Sequence, residues 1–273
     1  MFEPGVMFWA ERDTLEMVCG LGVRYGQLGV PGGMHLTDAA AGQWKTALGK
    51  ARFTLVTVFA AYPGEDYTDL PAVARTVGFV PPETRAARLA RTFEVSDFAA
   101  QLGVPGIACH IGCVPADAAH PDYAAVRDTV RRVCDHAAGH GQSFALETGQ
   151  EPADVLLEFI RQVDRPNLGV NFDPANLILY GSGEPMAALE TLAPLVISVH
   201  CKDGDRPAPG VDGALGTERP LGKGSVGIGR FVETLRKAGF RGPLNVERET
   251  DNQQQRLRDL AEGVELLGAL ARA

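Results

Sequence analysis

The chain has 273 residues, 45% of them apolar and 22% charged, an ordinary globular composition that excludes collagen, coiled coil and intrinsic disorder. Its 34 Asp and Glu outnumber 26 Lys and Arg, and the formal charge of -8 repels a phosphate backbone, so nucleic acid is not an expected partner. No apolar run approaches the ~20 residues needed to cross a bilayer, and residues 1–10 lack a signal-like start; a soluble, cytoplasmic protein with no membrane partner is expected.

Eight short runs rich in β-branched and apolar residues, at 5–9, 24–29, 54–59, 106–111, 143–147, 168–173, 196–202 and 244–249, are each followed by a longer stretch with helical spacing. That alternation is the pattern of βα units around a parallel sheet, at about 34 residues per unit. Helical segments are predicted over 85–102, after Pro-Pro-Glu-Thr, and over 154–163, after Glu151-Pro152, with Gly103, Gly141 and Gly239 closing three helices. No linker or compositional break divides the chain, so the expected architecture is α/β, one (β/α)8 TIM barrel spanning residues 1–273. The five cysteines are odd in number and have no C-x-x-C spacing, which points to reduced, structural thiols.

Side chains alternate along a strand, so the apolar phase shows which residues face the helices. In the fifth run Phe144 and Leu146 point outward and Glu147 inward. The sixth leaves Asn171 and Asp173 inside, the seventh Ser198, His200 and Lys202, and the eighth Asn245, Glu247 and Glu249; the fourth adds His110. These ionisable residues fall at the carboxyl ends of their strands, where barrel enzymes build their sites. Converging carboxylates would be driven to protonate by desolvation and mutual repulsion unless a cation joined them. Glu147, Asp173, His200 and Glu247 would supply three oxygens and one nitrogen to one divalent ion, with manganese placed first and Co²⁺, Mg²⁺ or Zn²⁺ as alternatives. His110 and Lys202 are assigned to substrate, each weighed against a purely structural role, packing under the loop for His110 and neutralising Asp203 or a site carboxylate for Lys202. His35, His120, His136 and His140 are read as surface residues.

The glycine-rich stretch 220–229 has neither the ending of a phosphate-binding loop nor a dinucleotide turn. It belongs to a long connection over 203–226, whose position after the seventh strand predicts a mobile lid over the site.

The ordered set A-L-E-T-G at 145–149, V-N-F-D-P-A-N at 170–176, V-H-C-K-D at 199–203, P-L-G-K-G at 220–224 and N-V-E-R-E at 245–249 resembles the sugar phosphate isomerase/epimerase family with the xylose isomerase-like TIM barrel. That family includes ketose 3-epimerases, hydroxypyruvate isomerase, inosose dehydratase and, more distantly, endonuclease IV. The resemblance implies one divalent metal on Glu147, Asp173, His200 and Glu247, with Glu147 and Glu247 as the catalytic proton-transfer pair. Ketohexose 3-epimerases often carry D-x-x-H where this chain has Asp173 and Asn176, which gives Asn176 the place of a substrate-contacting imidazole. The expected activity is isomerisation or epimerisation of a ketose, an aldose or a polyol-derived carbonyl compound through a metal-stabilised enediolate. An inosose dehydratase-like lyase is the alternative, ahead of an endonuclease IV-like phosphodiesterase and a non-catalytic binding barrel. The expected partner is a small sugar or sugar derivative, and homo-oligomerisation is left open.

Overall fold

Each of the eight β-branched runs forms a strand in the computed structural model, which describes residues 2–272. The strands are β1 Pro4–Trp9, β2 Tyr25–Val30, β3 Thr54–Ala60, β4 Gly106–Cys109, β5 Ser143–Glu147, β6 Leu168–Phe172 and β7 Val196–Cys201, followed by two short strands, β8 Asp203–Asp205 and β9 Thr217–Arg219, and then by β10 Leu244–Val246. β1 to β7 and β10 are parallel neighbours around a closed barrel, shut by the register Pro4↔Leu244, Gly5↔Asn245 and Val6↔Val246. Helices lie between successive strands, so the architecture is the expected (β/α)8 TIM barrel.

The alternation behaves as the sequence requires. Phe144, Leu146, Val170, Phe172 and Val199 point away from the axis into the main core against the helices, while Met7, Phe59, Ala108 and Ala145 form a separate small cluster inside the barrel. The helix predicted over 85–102 begins earlier, at Pro82, because a proline in the first turn has no N–H that the helix needs. It ends where Gly103 takes φ +76° and donates its N–H to Ala99 and Ala100. The helix predicted over 154–163 is found at Ala153–Val163.

Four strands are shorter than predicted. The ladders end at Cys109, Phe172, Cys201 and Val246, so His110, Asp173, Lys202 and Glu247 lie just past them. At this edge side-chain alternation outlasts the regular ladder. The 203–226 connection is also more ordered than an open excursion, because β8 and β9 pair antiparallel, Asp203 opposite Arg219. All five cysteines are free thiols, with Cys109, Cys134 and Cys201 buried. Among the described residues no helix is long and apolar enough to cross a membrane.

Candidate metal and catalytic site

The carboxyl ends of β5, β6, β7 and β10 bring Glu147, Asp173, His200 and Glu247 together, each offering one ligand atom within 4.8 Å of the others. All four are buried, with Asp173 wholly inaccessible. Asp173 precedes Pro174 and caps the following helix, its Oδ1 accepting the N–H groups of Ala175 and Asn176 at 2.8 and 3.1 Å. Its Oδ2 is buried with no hydrogen-bond partner. One oxygen therefore holds the turn and the other faces the cluster.

His200 sits between two carboxylates, its Nδ1 2.8 Å from both Glu147 Oε1 and Glu247 Oε2. On the other side of the ring, Nε2 donates to Gln27 Oε1 at 2.6 Å, and Gln27 in turn donates to Asn171 Oδ1 at 3.1 Å. That chain fixes a proton on Nε2 and turns Nδ1 toward the carboxylates. Burial pulls the His200 pKa down, but the charges of Glu247 and Glu147 outweigh it and hold the ring well above its ordinary range. Asp173 is raised well above the usual carboxylate range by burial, only partly offset by Lys202. Glu247 is held below that range because His200 and Lys202 overcome its burial. The imidazolium thus supplies positive charge where a divalent cation would bind, and the donor set with its orphaned Asp173 oxygen fits such an ion.

The residues assigned to substrate lie at the same place. His110 accepts a hydrogen bond from Gln150 at Nδ1 (2.9 Å), and its Nε2 lies 3.3 Å from Glu147 Oε2. Asn176 donates from Nδ2 to Glu147 Oε1 at 3.3 Å and to the Thr148 carbonyl at 3.2 Å. Gly149, at φ +148°, lets Asn176 approach, since a Cβ there would lie 2.6 Å from the Asn176 Cβ. Lys202 lies 3.3 Å from Glu247, 3.7 Å from Glu218 and 4.0 Å from Asp173, so its counter-charges are site carboxylates and not Asp203. Those charges raise its pKa well above the ordinary value despite burial.

Gln27, Glu218 and Glu249 also reach the site and were not assigned a role there by the sequence reading. Gln27 stands in a glycine-rich strand and is uncharged, so nothing marked it. Glu249 was visible in the inward phase of the eighth run; its Oε1 accepts the Trp9 indole N–H at 2.7 Å. Glu218 lies on β9, and only the fold of the 203–226 segment brings it back to Lys202. Glu218 and Glu249, with Glu147, His200 and Glu247, edge a cavity of about 400 Å³ whose apolar walls include Trp9, Phe59, Tyr67 and Tyr180.

Residues 17–270 match the family model described as Xylose isomerase-like TIM barrel. The chain belongs to that family. A solved structure, the Xylose isomerase domain protein from Planctomyces limnophilus, is 43% identical over 98% of this chain and 97% of that one, with a TM-score of 0.95. A Xylose isomerase-like TIM barrel protein from Mycobacterium smegmatis, solved in complex with magnesium, is 18% identical over 99% and 96% of the two chains, with a TM-score of 0.72. D-allulose 3-epimerase from Methylomonas sp. is 16% identical over 99% of both, with a TM-score of 0.73; at these identities the latter two share the fold. Among curated proteins, Rhizopine catabolism protein MocC of Rhizobium meliloti is 30% identical over 161 residues, 54% of this chain. The match spans about half of that relative's length.

Proposed function

We propose that this protein is a divalent-metal-dependent isomerase or epimerase of an unphosphorylated sugar or polyol-derived carbonyl compound. The observation that carries the reading is the convergence of Glu147, Asp173, His200 and Glu247 at the barrel mouth, with Asp173 Oδ2 left unpartnered. A structural neighbour solved in complex with magnesium, and others that are ketose 3-epimerases, support it.

The substrate class follows from charge. Among the described residues Glu65, Glu218 and Glu249 line the cavity with Glu147 and Glu247, no arginine does, and Lys202 is already surrounded by carboxylates. A phosphate group would meet net repulsion there. A neutral polyhydroxyl compound would find acceptors for its hydroxyls and aromatic walls for its C–H faces.

Bound to the four ligands, a divalent cation would supply the charge that stabilises an enediolate, manganese being first among the ions that such a mixed oxygen and imidazole set suits. The chain's own groups carry the proton. One of Glu147 and Glu247 removes the hydrogen beside the carbonyl, and the other returns a proton to the opposite face for epimerisation, or the first returns it to the neighbouring carbon for isomerisation. Asn176, which donates to Glu147, and His110, whose Nε2 lies 3.3 Å from it, orient that carboxylate and reach the substrate oxygens. His200 and Lys202 hold Glu247 ionised.

The test is incubation in D₂O with a panel of ketoses, aldoses and inososes, reading solvent deuterium at the carbon beside the carbonyl and identifying the product. Exchange that stops with a chelator and returns with Mn²⁺ is expected. Release of water with an unsaturated product would replace the isomerase by a lyase of the inosose dehydratase type. No exchange across the panel with metal-loaded protein would reject the reading.

A further inference from the structure

At the opposite end of the barrel, Asp97 on the helix Pro82–Leu102 meets His136 on the helix Pro121–Gly139 and His140 just beyond that helix's end. Both helices run back against the strands, so their last turns lie at the amino-terminal face of the barrel, away from the cavity. The Nε2 atoms of His136 and His140 approach the same oxygen, Asp97 Oδ1, at 2.7 and 2.8 Å. The three ligand atoms all lie within 4.8 Å of one another.

We infer that Asp97, His136 and His140 form a second metal site, one that takes a borderline divalent ion such as Zn²⁺. Two imidazole nitrogens and one carboxylate oxygen, with solvent on the remaining side, are the three protein ligands and open position that Zn²⁺ accepts. The donor set differs from the oxygen-rich cluster in the barrel and selects against Mg²⁺ and Mn²⁺. Tetrahedral ligands with bonds near 2.0–2.1 Å stand about 3.4 Å apart, so each histidine nitrogen needs to draw back from Asp97 Oδ1 by little more than half an ångström. His136 is pre-aimed for this, because its ring is stacked on Phe93 with centroids 4.3 Å apart and planes 10° from parallel. The side chains are 28%, 35% and 51% exposed for His136, His140 and Asp97, which leaves the ion a path from solvent. Bound metal would clip the two helices together beside the turn that enters β5.

Zn²⁺ binding to tag-free full-length protein tests this by equilibrium dialysis, comparing wild type with the double variant His136→Gln/His140→Gln and with Glu147→Gln/Glu247→Gln. The expected result is one Zn²⁺ equivalent fewer in the histidine double variant, with that equivalent retained when the barrel glutamates are changed. Single His140→Gln and Asp97→Asn variants, which change exposed side chains, should weaken that equivalent by more than the roughly 10-fold expected for loss of an outer-shell partner. They serve if the double variant does not fold. Unchanged Zn²⁺ stoichiometry and affinity in the histidine variants would overturn the assignment.

Discussion

Glu147 and Glu247 approach the His200 ring from strands that β6 and β7 separate in the barrel order, so under the proposed mechanism a substrate between them would be met from two sides. Inversion at one carbon requires that arrangement. Glu147→Gln and Glu247→Gln each keep an oxygen donor and nearly the same volume, yet lose the basic carboxylate. Turnover on the substrate found in D₂O should drop by about 10² or more in each, and one variant should still exchange the proton without inverting the carbon. Near-normal turnover in both would reduce the pair to ligands. Glu151, four residues beyond Glu147, poses a different problem. It is buried, neither carboxylate oxygen has a well-formed hydrogen bond, and burial pushes it up to about 8 from an ordinary 4.5, with only partial relief from the nearby Val114 N–H. The folded protein therefore holds a proton that the unfolded chain has lost between those pH values, and stability falls as pH rises from about 4.5 to about 8. Urea unfolding of wild type and Glu151→Gln across that window should show the difference between them changing by up to roughly 1.4 kcal/mol per pH unit. Parallel curves would mean that Glu151 finds a partner in solution.

Between β7 and the helix Ile228–Lys237, the 203–226 connection is anchored by one buried carboxylate. Asp203 accepts four backbone N–H groups, those of Gly204 and Val226 on Oδ1 and those of Gly222 and Gly224 on Oδ2, at 2.9 to 3.0 Å. The P-L-G-K-G stretch is thus a cradle for a protein carboxylate, and Gly224 is required because a Cβ would lie 2.4 Å from Asp203 Oδ1. Asp203→Asn replaces one acceptor with a donor facing donors, so a loss of about 2–3 kcal/mol in unfolding free energy is expected. Proteolysis should also become faster within 206–216; an unchanged melting curve and cleavage pattern would argue that the cradle contributes little. The sequence exposed the composition of this loop but not its purpose, because what fills a glycine nest depends on which buried acid the fold delivers. The same limit explains Gln27 and Glu218, which act through partners distant in the chain. By contrast Glu147, Asp173, His200 and Glu247 were legible because two-residue alternation is local and marks its inward face with charge among apolar neighbours. Strand ends were read too long for the same reason, since alternation continues where pairing has stopped.

Across the whole molecule, the eightfold recurrence of strand and helix was enough to specify the barrel, because only closure buries both faces of eight parallel strands without leaving an edge. That closure also concentrates three carboxylates at one end, against which Lys202 and a charged His200 are the nearby cations. Desolvated charges of one sign oppose folding, and a divalent ion held by residues from β5, from β7 and from the turns after β6 and β10 would relieve that opposition across half the barrel. A ligand that binds only the folded state stabilises it by about 2.7 kcal/mol at 100 times its dissociation constant. At roughly 2–4 °C per kcal/mol for a domain of this size class, the melting temperature should rise by about 5–10 °C on saturation with Mn²⁺. Calorimetry of chelator-treated protein with and without Mn²⁺ reads the shift. Manganese is the right probe because the oxygen-rich barrel cluster suits it and the two-histidine surface site does not. The shift should shrink in Glu147→Gln/Glu247→Gln and persist in His136→Gln/His140→Gln. Equal melting temperatures with and without the ion, at Mn²⁺ concentrations up to millimolar, would show that the four side chains do not form a metal site in the folded barrel.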